Sequence, residues 1–76
     1  MTASSVHIGS KVTVYDFDLE ETEVYEITGT TEANAMENKI SNESPVGKAL
    51  LKHQVGDVVS VNAPDGSYKL RIDKIA

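Results

Sequence analysis

The stretch "NESPVGKALLKHQVGD" (residues 42–57) carries the clearest local structural signal in the chain. Ser44 can cap a helix by accepting a hydrogen bond from a free amide of the first turn, and Pro45 suits the first helical position. Apolar residues at helical spacing then predict one stripe, made of Val46, Ala49, Leu50 and His53. Gly56 is placed to end the helix in a left-handed conformation, which predicts about three turns.

Two stretches before the helix alternate between apolar and polar residues, as half-buried strands do. They are "KVTVYDF" (residues 11–17) and "EVYEIT" (residues 23–28), joined by the polar connection "DFDLEE". Such a pair is typical of a β-hairpin. The alternation places Val12 and Val14 together on one face of the first strand.

A second hairpin is predicted after the helix. "DVVSVNA" (residues 57–63) and "YKLRIDKI" (residues 68–75) flank the turn "APDGSY", which has Pro and Gly at favoured positions. The alternation predicts two sets of residues that each share a face: Val59, Val61 and Ala63, and then Tyr68, Leu70 and Ile72. The shift of the apolar pattern from Ile72 to Ile75 predicts a bulge, or a strand end near Asp73.

The segment "TGTTEANAMENKIS" (residues 28–41) links the first hairpin to the helix. Gly29 with the following threonines indicates one turn, and Asn38 indicates another because Asn tolerates the left-handed conformation. The centre of the segment fits either a single helical turn or an irregular crossover, and Ile40 belongs to a short strand. The sum is an α+β fold, with one main helix packed across a twisted antiparallel sheet of four to five strands.

Size and charge exclude several classes of protein. At 76 residues the chain forms one domain. Twelve acidic against seven basic residues give a formal net charge of −5, which argues against direct binding of nucleic acid but leaves a protein partner open. No apolar run approaches the roughly 20 residues of a membrane span, and the absence of cysteine fits a reducing, cytoplasmic setting.

Acidic residues at alternate positions raise the question of a calcium site at Asp16, Asp18 and Glu20. A calcium loop of the helix–loop–helix type needs Gly at its sixth position and a carboxylate at its twelfth. Counted from Asp16, those positions hold Glu21 and Ile27. A solvated acidic hairpin tip is therefore the favoured interpretation.

Catalytic groups are not evident in the sequence. The two histidines, His7 and His53, are isolated, and no Ser-His-Asp arrangement can be defended. The aromatic residues are so few that an aromatic-lined ligand pocket is expected to be hard to build: Tyr15, Phe17, Tyr25 and Tyr68. We expect no enzyme activity, no metal site and no cofactor.

The string K-I-S-x-x-S-P-V-x-x-A-L-L-x-x-x-x-G-D-x-V, which begins at Lys39, resembles the C-terminal domain of the bacterial transcript-cleavage factors GreA and GreB, and GreA more than GreB. The resemblance covers roughly residues 6–76. It implies an FKBP-like fold, with a curved antiparallel sheet and one helix lying against it. We expect residues 1–8 to be a flexible lead-in and residues 9–76 to form the domain.

The resemblance also implies a partner. Family members dock this domain on the rim of the secondary channel of RNA polymerase, against a coiled coil of the β′ subunit. A separate N-terminal helical hairpin enters the channel, where acidic residues at its tip help to hold magnesium. The printed sequence has no counterpart of that hairpin. We therefore expect it to anchor to the polymerase without promoting cleavage, either as a fragment or as a shortened relative.

The docking surface of the family includes an acidic residue followed by Ser-Pro at the start of the helix. Those positions match Glu43, Ser44 and Pro45, with Glu in place of the more usual Asp. The local chemistry of Ser-Pro is also explained by helix capping alone. Two alternative functions remain, an FKBP-like prolyl isomerase and a stand-alone polymerase regulator of the Rnk type. The absence of tryptophan argues against the isomerase.

Overall fold

The computed structural model describes residues 5–76, apart from the side chain of Ala35. Within that range the chain forms five strands and one α-helix, in the order β1 (Lys11–Asp16), β2 (Glu21–Thr28), β3 (Lys39–Ser41), α1 (Pro45–Leu50), β4 (Val58–Ala63) and β5 (Gly66–Ile75). Both hairpins predicted from alternation are confirmed, because β1 pairs antiparallel with β2 and β4 pairs antiparallel with β5. No helix in this range is long and apolar enough to cross a membrane.

The five strands form one sheet in the order β3-β2-β1-β5-β4. The two hairpins are joined through β1 of the first hairpin and β5 of the second, which pair with each other. The α+β, FKBP-like fold is thereby confirmed. One detail differs from the antiparallel sheet that we expected, since β3 runs parallel to β2. The link between these strands contains two short 3₁₀ turns, Thr30–Glu32 and Ala35–Glu37, and carries the chain back before β3 begins. A parallel pair needs such a crossover.

The core lies between the inner face of the sheet and α1. Its fully buried members from the sheet are the residues that alternation selects: Val12, Val14, Ile27, Val59, Val61, Leu70 and Ile72. Leu50 of α1 packs on them and is completely buried. The bulge predicted near Asp73 is also confirmed, because the pairing of β1 with β5 shifts register between Thr13 and Val14, opposite Ile72 and Lys74.

Val6, which we expected in a flexible lead-in, belongs to this core and is only 1% exposed. Its amide donates to the carbonyl of His53 at 2.9 Å, and its carbonyl accepts from the amide of Lys52 at 2.8 Å. Ser5 and Gln54 extend this pairing as an antiparallel bridge. Residues 5–6 thus pack with the domain, while residues 1–4 of the expected lead-in lie outside the described residues.

The helix is shorter than predicted, since α1 ends at Leu50 instead of near Gly56. Leu51 already has extended dihedral angles (φ −56°, ψ 137°), and Lys52 rather than Gly56 is the first left-handed residue, with φ 71°. The helix ends early because the amide of Lys52 donates its hydrogen bond to the carbonyl of Val6 and is therefore not available to continue the helix. His53 consequently leaves the predicted stripe and is exposed.

Candidate functional site: the Ser-Pro corner and its groove

Ser44 caps α1 as the sequence predicts. Its Oγ accepts a hydrogen bond from the amide of Gly47 at 3.1 Å and donates one to the carbonyl of Ser41 at 2.6 Å. The amide of Ser44 also donates to Ser41, at 3.0 Å. Pro45 occupies the first helical position, where no donor is needed. The start of the helix is therefore bonded firmly to the end of β3.

Glu43 and Pro45 are exposed on either side of this half-buried serine. The amide of Glu43 donates to Ser41 Oγ at 2.9 Å, which fixes the backbone while the carboxylate remains in solvent. The structure thus brings the three predicted residues together at one corner, where the end of β3 meets the start of α1. Their roles differ, however, because the hydroxyl of Ser44 is already used within the fold and only Glu43 and Pro45 are free to contact a partner.

Gly47 lets this corner form, and its importance was missed in the sequence. It is buried, and a Cβ built on it would overlap the carbonyl oxygen of Ser41. Only glycine allows the first turn of α1 to lie this close to β3. A glycine inside a helical pattern was the available signal, since it costs helix stability and usually has a packing reason.

A shallow groove of about 380 Å³ begins at the corner and runs between α1 and β4. Six residues line it: Glu43, Pro45, Lys48, Ala49, Ser60 and Asn62. Ser60 and Asn62 alternate with the buried valines of β4, so their side chains lie on the side of the strand away from the core. The groove combines apolar contact from Pro45 with one carboxylate, one ammonium and two uncharged polar groups.

The acidic connection after β1 forms a tight turn. Asp16 Oδ1 accepts hydrogen bonds from the amides of Asp18 at 2.8 Å and Leu19 at 3.1 Å. Among the described residues, no three acidic or histidine side chains are grouped closely enough to hold a metal ion. These contacts support the interpretation of the segment as a hairpin tip.

The two histidines make local contacts only. His53 Nδ1 lies 3.1 Å from Asp57 Oδ2, and the amide of Gln54 donates to the same oxygen at 2.9 Å. The amide of Gln54, followed by His53, lowers the pKa of the Asp57 carboxyl. His7 Nδ1 lies 3.1 Å from the carbonyl of Ser5. Within residues 5–76, neither histidine faces a nucleophile and an acid together, as a catalytic triad requires.

Two tyrosines contribute to a second depression on the surface. Tyr25 and Tyr68, from different strands, line a second depression of about 310 Å³ together with Asp16, Asp18 and Leu19. The strands β2 and β5 lie on either side of β1, and this order brings two of the four aromatic rings to one place.

Comparison with solved structures confirms the architecture. The fold is similar to GreA factor homolog 1 (Gfh1) of Thermus thermophilus, with a TM-score of 0.83, 36% identity, and coverage of 99% of this chain and 50% of that chain. It is also similar to a GreA/GreB elongation factor of Nitrosomonas europaea, with a TM-score of 0.78, 25% identity, and coverage of 100% of this chain and 63% of that one. The fold therefore defines the class, a domain of a bacterial transcription factor.

Sequence comparison then gives the family. The family described as "Transcription elongation factor, GreA/GreB, C-term" matches residues 1–76, and the chain belongs to it. Transcription elongation factor GreA of Clostridium novyi is 49% identical over 75 residues, which are 99% of this chain and 47% of that protein. GreA of Alkaliphilus oremlandii is 57% identical over 70 residues, which are 92% of this chain and 44% of that protein. The chain thus spans less than half the length of these relatives.

Proposed function

We propose that this domain binds bacterial RNA polymerase and holds an elongation factor at the rim of the secondary channel, against the β′ coiled coil. The observation that carries the proposal is the corner at residues 43–45. It presents Glu43 and Pro45 to solvent on a backbone that hydrogen bonds to Ser41 hold in place. Membership of the GreA/GreB family supports the choice of partner.

The corner has the properties of a small protein-docking site. Pro45 offers rigid apolar contact, and a rigid residue loses little entropy on binding. Glu43 offers a carboxylate that is free to pair with a cationic group of the partner. The adjoining groove can receive one further side chain, with Lys48 and Asn62 as polar neighbours. So small a patch supports a modest, reversible interface rather than permanent association.

We assign no catalysis to the described residues. Within residues 5–76 the chain has one α-helix and no helical hairpin, and the carboxylates of the tip between β1 and β2 are not grouped as metal ligands there. A polypeptide of this extent is expected to occupy the rim without stimulating RNA cleavage. With a net charge of −5, it is expected to contact protein rather than nucleic acid or membrane lipid, in the bacterial cytoplasm.

Competition for core RNA polymerase tests the proposal. The domain is titrated against a labelled intact GreA bound to the polymerase, and the double variant Glu43→Ala/Pro45→Ala is compared with the parent. We expect the apparent Kd of the double variant to rise about tenfold or more, as it does when central contacts are truncated. Circular dichroism confirms that the variant is folded.

The matched control is Glu32→Ala/Pro64→Ala, which removes the same two residue types from exposed positions outside the groove. It should compete like the parent. Equal competition by both double variants would show that the corner is not the docking site. No competition by the parent domain itself would overturn the proposed partner.

A further inference from the structure

The second depression is a defined pocket on the core-facing side of the sheet. Asp16, Tyr25 and Tyr68 come from three adjacent strands and share the face that carries the buried valines and leucines. With Asp18 and Leu19 of the hairpin tip they line an open depression of about 310 Å³. We call these five residues the tyrosine pocket. They lie on elements other than those of the Ser-Pro corner.

Polar atoms without partners mark the pocket as more than a packing gap. Asp16 is only 7% exposed, and its Oδ1 accepts two amide hydrogen bonds. Its Oδ2 and the hydroxyls of Tyr25 and Tyr68 form no hydrogen bond within residues 5–76. All side-chain polar atoms of this range that are fully closed off from solvent do have partners. The three unpaired oxygens are therefore accessible to a ligand.

The field in the pocket is negative. Burial, followed by Glu23, Tyr68 and then Asp16, raises the pKa of Tyr25, and burial followed by Asp16 raises the pKa of Tyr68. The phenols therefore stay neutral near pH 7. Asp16 and Asp18 are the two acidic residues that line the pocket. A carboxylate ligand would be repelled, and a neutral apolar side chain would leave the oxygens unpaired.

We propose that the tyrosine pocket binds one arginine side chain of a protein partner. A guanidinium can donate to the free oxygen of Asp16, lie flat against a phenol ring and rest its aliphatic stem on Leu19. The same chain already uses this chemistry on the opposite face of the sheet. There the guanidinium of Arg71 lies 5.1 Å from the ring centre of Tyr15.

A peptide titration tests the proposal on the domain itself. The probe is acetyl-Gly-Arg-Gly-amide, and the neutral isostere acetyl-Gly-citrulline-Gly-amide is the control ligand. Binding is followed by ¹⁵N–¹H correlation NMR, with the amides of Asp18 and Leu19 as reporters of the pocket. We expect the arginine peptide to shift these two amides in a saturable way at millimolar concentration, and the citrulline peptide to shift them at least about fivefold more weakly.

Three variants test the assignment to the pocket. Asp16→Asn keeps an Oδ1 acceptor for the turn but removes the charge, and it should weaken arginine binding about tenfold. Glu20→Gln removes the same charge from an exposed neighbour that does not line the pocket, and it should weaken binding less than about twofold. Tyr68→Phe should lower affinity and leave the fold unchanged.

Three results would overturn the assignment. Equal shifts with the citrulline peptide would show that charge is not recognised. Equal losses of affinity for the arginine peptide in Asp16→Asn and Glu20→Gln would show that the peptide is attracted by the overall negative charge of the hairpin tip and not by the pocket. An unchanged affinity for Asp16→Asn would exclude the pocket. None of these outcomes depends on whether the Ser-Pro corner binds the polymerase, so the two proposals fail separately.

Discussion

Replacing Gly47 by alanine should destabilise the domain strongly, although alanine is the better helix former. The new Cβ would overlap the carbonyl oxygen of Ser41 and lie 3.0 Å from its carbonyl carbon and 3.1 Å from the Cα of Asn42. All three are backbone atoms, so no side chain can rotate away to make room. The Ser41 carbonyl also receives the hydrogen bonds of Ser44, so moving it disturbs the cap.

The size of the effect follows from opposing terms. Overpacking a rigid site costs about 1–3 kcal/mol, and a backbone overlap belongs at the upper end. Weakening the cap adds about 1 kcal/mol, while the better helix propensity of alanine offsets about 1 kcal/mol. The net loss of about 2–3 kcal/mol is a large part of the roughly 4–11 kcal/mol expected for a domain of this length. The Tm should fall by about 10–20 °C.

Thermal unfolding followed by circular dichroism measures this change. Gly29→Ala is the matched control, because no atom lies within 4 Å of the added Cβ and the φ of Gly29 is −73°. It should leave the Tm within about 3 °C of the parent value or raise it slightly. If Gly47→Ala also stays within that range, the close approach of α1 to β3 does not limit stability, and the corner does not require glycine at position 47.

Three further predictions use the same unfolding assay. Ser44→Ala should lower the free energy of unfolding by about 1–2 kcal/mol through loss of the cap, and no loss would mean that Pro45 alone sets the start of the helix. Val6→Ala should lower the free energy of unfolding by about 1.5–3 kcal/mol because the side chain is fully buried. Ile8→Ala, at a position that is 54% exposed, should change it far less. Equal effects of the two substitutions would place Val6 outside the core. The free energy of unfolding should fall as the pH is lowered from about 5 through 3.8 and below. The hydrogen bond from the Gln54 amide depresses the pKa of the Asp57 carboxyl in the folded state, so the stabilisation from this bond is lost when Asp57 is protonated. Asp57→Asn should make stability depend less steeply on pH, and an unchanged slope would refute the role of Asp57.

The sequence predicted the hairpins and the cap because both depend on local rules. Alternation selected the inner faces of β1, β4 and β5, and Ser-Pro located the first residue of α1. The parallel pairing of β2 with β3 was not predictable in the same way, because a strand shows the same alternation whichever direction its neighbour runs. The end of α1 was missed because it depends on Val6, far away in sequence.

The candidate sites likewise contain some groupings that follow from neighbouring residues and others that depend on the tertiary fold. Glu43 and Pro45 are separated only by Ser44 in the sequence, so their common exposure at a corner was a local inference. Asn62 lines the same groove as Glu43 and Pro45 only because β4 packs beside α1. Tyr25 and Tyr68 line the same pocket only because β1 lies between their strands. Groupings of this kind depend on strand order, which the periodicity of one sequence does not contain.

The pairing of residues 5–6 with residues 52–54 has a mechanical consequence. A polypeptide joined ahead of Ser5 would leave the domain beside Gln54, next to the buried Val6. A pull on that polypeptide would load the hydrogen bonds of Val6 to Lys52 and His53. Forces on an attached lever would thus reach the hydrophobic centre of the domain within a few residues of the joint.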